Sequence, residues 1–249
     1  MSSGRVAVVT GGASGIGRSI CEHLARAGHR VAVLDIAGDN AEALAASLRA
    51  QGHHALGLEA DVASRKSIER AYAKARSEYG PIGIAVTSAA VVGYASFEET
   101  RIEDWNRILA VNLTGTFHSL QAAIGDMTAA GWGRIVTISS YAGQAASPFQ
   151  AAYSASKAAV IGMTKTLAAE YAARGVTVNT IPPFIVDTPM LRAAQAAGSA
   201  PPSEDMVRAV PAGRLGTGDD IATACTFLCS EAAGYITGQV IAPNGGART

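Results

Sequence analysis

The sequence predicts one α/β domain in which a doubly wound parallel β-sheet is flanked by helices on both faces. Short runs of β-branched and other apolar residues alternate with longer helical patterns, which is typical of strand–helix–strand units with parallel strands. No polar linker interrupts this alternation, so the 249 residues are interpreted as a single domain, 1–249. A glycine-rich turn between the first strand and the first helix gives the fold a candidate ligand site.

The first predicted strand, 5–10, runs directly into the glycine-rich turn 11–17, and a helical pattern then continues to about Gly28. Glycines permit a tight turn and a close approach of the backbone to a ligand. The free N–H groups at the start of the helix favour a pyrophosphate. The order of strand, glycine turn and helix therefore favours dinucleotide binding over a purely structural turn.

The second predicted strand, 30–35, ends in Asp35, about 20 residues beyond the glycine turn. A carboxylate at this point can accept hydrogen bonds from an adenosine ribose, and the alternative is that Asp35 caps the turn that follows. Neither Ser14 nor Ile36 supplies a cation for a 2′-phosphate. These residues favour NAD over NADP.

The middle of the chain predicts a helix over 40–51, a strand over 54–58, a helix over 64–79 and a strand over 82–87. Asp61 and Val62 follow the third strand at its carboxyl end. The next segment, 103–127, predicts one long helix or two abutting helices with Asn112 in the middle. An interior asparagine either faces solvent or bonds backbone or water where a helix bends.

A strand over 134–138 precedes Ser140, and an alanine-rich helix follows over about 150–174. Tyr153 and Lys157 lie four positions apart on this helix, so their side chains project in one direction. A nearby ammonium group lowers a tyrosine pKa from ~10 towards the range of a useful base. Ser140 could hold a substrate oxygen, although a Tyr–Lys pair at this spacing also occurs by chance on many helices.

The C-terminal part predicts a strand over 176–181, an irregular segment over about 182–218, a helix over 219–230 and a strand over 239–242. The irregular segment is rich in proline, alanine and glycine, and its length predicts a lid. Cys225 and Cys229 have a spacing that allows a metal pair, but no histidine lies nearby. Buried free thiols are therefore favoured, and no metal site is predicted.

The charge balance excludes several classes of partner. Lys plus Arg equals Asp plus Glu at 20 each, so no global field favours nucleic acid or a membrane surface. The N-terminus does not have the pattern of a signal peptide, and no apolar run approaches the roughly 18 residues of a membrane span. We expect a cytoplasmic protein that acts on a small molecule, without nucleic-acid or membrane partners.

Taken together, these motifs resemble the short-chain dehydrogenase/reductase family in its single-domain Rossmann-fold form, over nearly the whole chain from Thr10 to Gly246. The resemblance implies a catalytic tetrad of Asn112, Ser140, Tyr153 and Lys157. It also implies an NAD site. Its residues are Gly11, Ser14, Gly15, Ile16, Gly17, Asp35, Ile36, Asp61, Val62, Ala89, Tyr153, Lys157, Pro183, Ile185 and Thr188.

The family resemblance assigns a role to each member of the tetrad. Tyr153 would act as general acid or base, and Ser140 would steady the substrate oxygen. Lys157 would hold the nicotinamide ribose and lower the pKa of Tyr153, while Asn112 would anchor a proton-relay water. Family members are often homotetramers, and the small residues Ala158, Ala159 and Gly162 would permit close helix packing between subunits or within the core.

The expected substrate pocket is mainly apolar and has no basic clamp for a carboxylate. Its residues are Val91, Val92, Tyr94, Ser140, Ala142, Phe149, Phe184, Met190 and Leu191. We therefore expect an NAD-dependent oxidoreductase for a secondary alcohol or its ketone, with hydroxysteroids, alicyclic alcohols and 3-hydroxyacyl thioesters all open. The alternatives are a 3-oxoacyl-(carrier protein or CoA) reductase and a catalytically silent dinucleotide-sensing module.

Three short segments depart from the family pattern. Thr87-Ser88-Ala89-Ala90 stands where the family has Asn-Asn-Ala-Gly, Pro182-Pro183 stands where it has Pro-Gly, and Asn244 replaces a common aspartate. Proline fixes a backbone angle that glycine leaves free. These departures are expected to alter cofactor and substrate contacts rather than the tetrad.

Overall fold

The computed structural model describes residues 4–247, so the outermost parts of the predicted domain, 1–3 and 248–249, lie outside the described residues. The described chain contains one six-stranded sheet in the order β3-β2-β1-β4-β5-β6, and every pairing is parallel. The strands are β1 Val6–Thr10, β2 Arg30–Asp35, β3 Ala55–Glu59, β4 Ile82–Thr87, β5 Gly133–Ile138 and β6 Val176–Ile181. This is the predicted Rossmann architecture.

Nine α-helices are present in residues 4–247, and they cover both faces of the sheet. They are α1 Gly15–Arg26, α2 Gly38–Ala50, α3 Arg65–Tyr79, α4 Ile102–Leu109, α5 Gly115–Ala130, α6 Ala151–Tyr171, α7 Pro189–Ala196, α8 Ser203–Val207 and α9 Gly218–Leu228. Helices α1, α2 and α9 contribute to one apolar core, and α3, α5 and α6 contribute to the other. Because both faces are covered, the strands consist of apolar runs rather than alternating patterns.

The strand order reverses between β1 and β4, where successive connections pass to opposite sides of the sheet. A crevice opens at such a point outside the carboxyl ends of the strands, and ligands of open parallel sheets bind there. The glycine turn after β1 and the segment after β4 both reach this edge. The fold therefore brings the predicted ligand residues to one place.

Helices α4 and α5 are continuous through one wide, π-helical turn at Ala110–Thr114. The segment is therefore one long helix with an irregular turn, which combines the two alternatives left open by the sequence. Asn112 lies within this turn and is buried. It does not face solvent.

The predicted strand 239–242 is wrong as a sheet strand. Val240 forms only an isolated parallel bridge to Thr180, made by two backbone hydrogen bonds of 2.9 Å from Thr180 N to Gln239 O and from Ile241 N to Thr180 O. Pro243 has no N–H to continue the ladder. The chain then turns at Gly245, whose φ is 62°.

The segment 182–218 is less irregular than predicted, because it contains α7 and α8. Thr188 caps the N-terminus of α7, because its hydroxyl accepts a hydrogen bond from Leu191 N at 3.3 Å, and Pro189 is the first residue of the helix. Threonine as a cap followed by proline is a known start signal.

Among the described residues, no helix has the length and apolar character needed to cross a membrane.

Candidate active site

One large cleft, of about 730 Å³, lies at the carboxyl edge of the sheet. All nine expected substrate-pocket residues line it, and so do all the expected dinucleotide residues except Gly17. Three of the four tetrad residues line it as well, while Asn112 lies behind the wall. The structure thus brings together residues that are far apart in the chain.

The glycine turn is packed too tightly for larger residues. Gly11 has a φ of 63°, and a Cβ added to it would lie 2.7 Å from the backbone of Ala89. A Cβ on Gly17 would lie 2.1 Å from the carbonyl oxygen of Gly11. Gly17 therefore acts by letting α1 close onto the turn, which explains why it lines no part of the cleft.

The N-terminus of α1 is suited to an anion. Its cap residue, Ser14, makes no side-chain capping hydrogen bond, and its first turn carries no acidic side chain. The first N–H groups of a helix lack partners within the helix, and their dipoles favour negative charge. These features fit the pyrophosphate of a dinucleotide.

Asp35 closes the turn between β2 and α2, which was the alternative left open by the sequence. Its two carboxylate oxygens accept hydrogen bonds from Ala13 N and Ala37 N, both at 3.1 Å. Each oxygen can accept a second bond, and Asp35 also lines the cleft. The same carboxylate can therefore hold the turn and accept from ribose hydroxyls.

Tyr153, Ser140 and Lys157 meet at the centre of the cleft. The Ser140 hydroxyl lies close enough to the Tyr153 hydroxyl to favour its ionised form, and Lys157 Nζ lies 5.7 Å from the centre of the Tyr153 ring. Lys157 is only 3% exposed and donates to the Ile138 carbonyl oxygen at 2.8 Å. A proton-transfer group, an oxygen-binding hydroxyl and a cation thus share one space.

The pKa values in this group correct one expectation. Burial raises the pKa of Tyr153 above its ordinary value of 10.0, although the hydrogen bond from Ser140 acts in the opposite direction. The expected lowering by Lys157 is not what the structure shows. Burial also lowers the pKa of Lys157 from 10.5 to about 8, because the charged form loses its hydration.

Asn112 ties two parts of the site together. Its side chain accepts a hydrogen bond from Val91 N at 2.8 Å and donates to Val91 O at 3.0 Å and to Ser156 Oγ at 3.1 Å. Ser156 in turn donates to the Tyr153 carbonyl oxygen at 2.7 Å. The amide thus joins the segment after β4 to the first turn of α6. Anchoring a water stays a prediction.

Sequence reasoning missed several residues around the tetrad. Ser139, just before Ser140, donates to the Lys157 carbonyl oxygen at 2.9 Å, and Ser156 holds the Tyr153 carbonyl. Tyr141 lines the cleft and packs edge-on against Phe184 with ring centres 4.7 Å apart. The position of Ser139 and Tyr141 on either side of Ser140 was an available signal. Nothing in the sequence marked Ser156 beyond its place before Lys157.

Two of the segments that depart from the family pattern, those at Ser88 and Pro183, line the cleft. The Pro183 carbonyl oxygen accepts a hydrogen bond from Tyr141 N at 2.9 Å, and Ser88 N donates a hydrogen bond to Thr10 O at 3.1 Å. The Thr87 hydroxyl is buried without a partner in the described structure.

The substrate end of the cleft is uncharged. Among the described lining residues, the charged side chains are Asp35, Asp61 and Lys157, and all three belong to the expected dinucleotide site. The remaining walls carry apolar and hydroxyl-bearing side chains. This composition suits a neutral substrate better than a carboxylate.

The cysteines lie away from the cleft. Cys21, Cys225 and Cys229 are buried free thiols, as predicted, and burial raises the pKa of Cys21. Within residues 4–247, no group of three or more His, Cys, Asp or Glu side chains is placed to hold a metal ion.

Comparisons with known proteins show similarity over nearly the whole chain. A family model described as enoyl-(acyl carrier protein) reductase matches residues 11–248. D-threitol dehydrogenase of Mycolicibacterium smegmatis is 42% identical over 98% of this chain and 92% of its own length. 3-Oxoacyl-[acyl-carrier-protein] reductase of Escherichia coli is 39% identical over 98% of this chain and 97% of its own length.

A solved structure has a similar fold. The crystal structure of gox2181 superposes with a TM-score of 0.93 at 32% identity, covering 98% of this chain and 96% of the other. The similarity in sequence and in fold extends over nearly the whole chain. The protein belongs to the short-chain dehydrogenase/reductase family of oxidoreductases.

Proposed function

We propose that the protein is an NAD-dependent oxidoreductase that interconverts a neutral secondary alcohol and its ketone. The observation that carries this proposal is that Tyr153 and Ser140 line one cleft with their hydroxyl groups close together, beside the buried cation of Lys157. The relatives named for D-threitol and for 3-oxoacyl groups both interconvert carbinol and carbonyl carbons. Family reductases typically bind a nicotinamide dinucleotide, which supplies the hydride donor or acceptor.

The residues of the chain supply proton transfer and orientation. Ser140 holds the substrate oxygen, and Tyr153 gives a proton to that oxygen in reduction or removes it in oxidation. Because burial raises the pKa of Tyr153, the phenol form is present at neutral pH and is ready to act as an acid. Ser139 and Ser156 fix the first turns of α6, so the hydroxyl of Tyr153 keeps its direction.

The choice of NAD is supported by the groups around Asp35. Its carboxylate lines the cleft, and Ile36, 71% exposed beside it, brings no positive charge. A 2′-phosphate would meet a like charge there, whereas two ribose hydroxyls would find an acceptor. NAD is therefore the cofactor of the proposal.

A 3-oxoacyl-(carrier protein or CoA) reductase is the second candidate, because of the relative from E. coli. The uncharged walls of the cleft suit a thioester as well as a simple ketone. A panel that contains acetoacetyl-CoA and simple ketones, each with NADH, separates the two candidates by their kcat/KM values.

We further propose that 182–218, with α7 and α8, closes over the bound ligands, and that the chain assembles as a homotetramer. Met190 and Leu191 on α7 line the cleft, which supports the role as a lid. Large apolar side chains are exposed elsewhere on the described surface, including Phe117, Phe227 and Tyr235. Contacts between subunits would cover such groups.

Tyr153→Phe tests the proposed chemistry. It removes the proton-transfer group but keeps the ring, so turnover should fall by at least ~10² while NAD binding stays within about twofold. Turnover is measured by NADH absorbance over a panel of secondary alcohols, and NAD binding by calorimetry.

Tyr79→Phe is the matched control, since it also removes a tyrosine hydroxyl but Tyr79 does not line the cleft. Its turnover should stay close to that of the unmodified protein. Unchanged turnover in Tyr153→Phe would refute the assignment of Tyr153. Absence of turnover in the unmodified protein, with NAD bound, would instead favour the sensing module.

A further inference from the structure

Phe149 adopts a backbone conformation that aromatic residues rarely adopt. Its φ is 64°, and it is the one non-glycine residue with a positive φ in the part of the chain that the structure describes. It lies in the turn Ser147–Gln150, which is closed by a hydrogen bond of 3.3 Å from Gln150 N to Ser147 O. Proline in the second position and a positive φ in the third are the pattern of a type II turn, where the third residue is normally glycine or asparagine.

The surrounding structure maintains this strained conformation. The Phe149 carbonyl oxygen accepts a hydrogen bond from Ala95 N at 2.9 Å, which joins the turn to the segment after β4. Glycine would make the same backbone bonds without strain. The aromatic side chain is therefore the one feature that phenylalanine adds over glycine at this position. Strained conformations of this kind concentrate at ligand sites.

The Phe149 ring lines the cleft but is not packed into the protein. It is 65% exposed, and two other lining side chains, Tyr94 at 39% and Met190 at 40%, are also exposed. These three residues come from three different segments, and the same cleft contains Ser140 and Tyr153. A ligand that reaches Tyr153 and also covers these side chains would remove apolar surface from water.

We propose that Phe149 is a specificity-determining residue that selects substrates with an aromatic or similarly flat apolar group next to the reacting carbon. A ring stacks favourably on another ring at an offset or edge-on angle, and the flexible thioether of Met190 adapts to either. The absence of charged side chains from this end of the described lining excludes an ionic partner for the same group. The inference rests on the proposed function for the position of the reacting carbon.

The test compares two methyl ketones that differ in one substituent, acetophenone with a phenyl group and 2-butanone with an ethyl group. Dissociation constants are measured by NADH fluorescence in the Tyr153→Phe background saturated with NADH, so no turnover is needed. With Phe149 present, acetophenone should bind at least about tenfold more tightly than 2-butanone. Phe149→Gly and Phe149→Asn should each reduce this preference to about threefold or less.

Both substitutions fit the turn, since glycine and asparagine accept a positive φ. The melting temperatures of these variants should therefore equal or exceed that of the parent. Phe97→Ala is the matched control, because Phe97 is 81% exposed and does not line the cleft. It should leave the preference unchanged.

Several outcomes would overturn the inference. The parent could show no preference for acetophenone, or the Phe149 variants could retain it. A lower melting temperature in both variants would assign the ring to packing, and a changed oligomer mass with an unchanged preference would assign it to a contact between copies. Failure of the proposed function is a separate result, because hydride transfer would then be absent in the unmodified protein while the binding preference remained.

Discussion

Lys157 places a charge where contact with water is small. Lys157 is 3% exposed, and its ammonium group donates a hydrogen bond to the Ile138 carbonyl oxygen. The unfolded chain holds this proton up to about pH 10.5, whereas the folded protein holds it only up to about 8. Between these values the unfolded state binds more protons, so stability through this group rises with pH.

We expect the difference in free energy of unfolding between wild type and Lys157→Met to depend on pH. Below pH 8 both states are protonated, and the full cost of burying the charge is present. The free energy of unfolding of wild type, relative to the variant, should rise between about pH 8 and 10.5 by about 3 kcal/mol at most. Urea titrations at a series of pH values and fixed protein concentration measure it.

Lys165→Met, on the exposed part of the same helix, controls for the loss of a lysine. If the free energy of unfolding of wild type, relative to Lys157→Met, stays constant or decreases across this pH range, the buried, desolvated position of Lys157 is contradicted.

The carboxylate of Asp35 should decide between NAD and NADP. At an effective dielectric near 20, a like-charge pair at ~4 Å costs roughly 4 kcal/mol before screening. Even half of that gives a preference for NAD above about tenfold. The double variant Asp35→Ser/Ile36→Arg should shift the ratio of kcat/KM values towards NADP, because it removes the repulsion and adds a phosphate partner.

Single variants separate these two effects. Asp35→Ser also loses hydrogen bonds to Ala13 N and Ala37 N, whereas Ile36→Arg leaves that turn intact. Asp35→Asn removes the charge and keeps one accepting oxygen. If the unmodified enzyme already uses NADPH as well as NADH, the proposed role of Asp35 is refuted.

At the scale of elements, closure of the proposed lid, 182–218, can be tested by amide exchange. Its anchor is a short parallel bridge between Val186 and Gly216, with hydrogen bonds of 2.9 Å from Gly216 N to Ile185 O and from Asp187 N to Gly216 O. Helices α7 and α8 lie in the chain between these two bridged residues. Amide exchange in α7 and α8 should slow when NAD and substrate bind together. Equal exchange rates with and without ligands would refute closure.

The sequence predicted most strands to within one residue, and the reason lies in their burial. In β5 and β6 every residue is buried, so apolar and β-branched residues predominate along both strands, with Arg134 and Asn179 as the exceptions. The strand predicted over 239–242 is only a bridge at Val240, because a β-branched pattern does not reveal how many hydrogen bonds a neighbouring strand offers. The short helices within 182–218 were missed because alanine, proline and glycine give no clear periodicity there.

The candidate site was predictable in its residues but not in its connections. Motif spacing identified Tyr153 and Lys157, since four residues on a helix fix their relative position. The link from Asn112 through Ser156 joins positions 44 apart in the chain, and no local pattern encodes such a contact. Likewise, phenylalanine carries no signal for the positive φ of Phe149, because the conformation is imposed by a turn and by Ala95.

At the scale of the whole molecule, we expect subunits to assemble along the exposed face of α6. Ala155, Ala158 and Gly162 are exposed on this 21-residue helix, and a Cβ added to Gly162 would meet no atom within 4 Å. A second copy of α6 could approach closely along these small residues. We therefore expect a mass of about 100 kDa by light scattering, four times that of the 25.3 kDa chain.

Ala158→Glu should disrupt the assembly, because it adds a charge and bulk on the proposed contact. Its control is Ala46→Glu, an identical change on the exposed face of α2. The first variant should give a smaller mass with an unchanged circular dichroism spectrum, and the second should keep the parent mass. A parent mass in both variants would remove α6 from the interface.

The wide turn at Ala110–Thr114 also sets the phase of the longest helical segment. Its buried positions run from Ile108 through Asn112, Thr116 and Ala123 to Met127, a distance of 19 residues for five turns. A regular α-helix completes five turns in about 18 residues, so without a correction Met127 would be rotated by about 100° from the core. The π-helical turn absorbs the additional residue. The insertion that directs Asn112 towards α6 thereby keeps both ends of the helix in phase with the sheet.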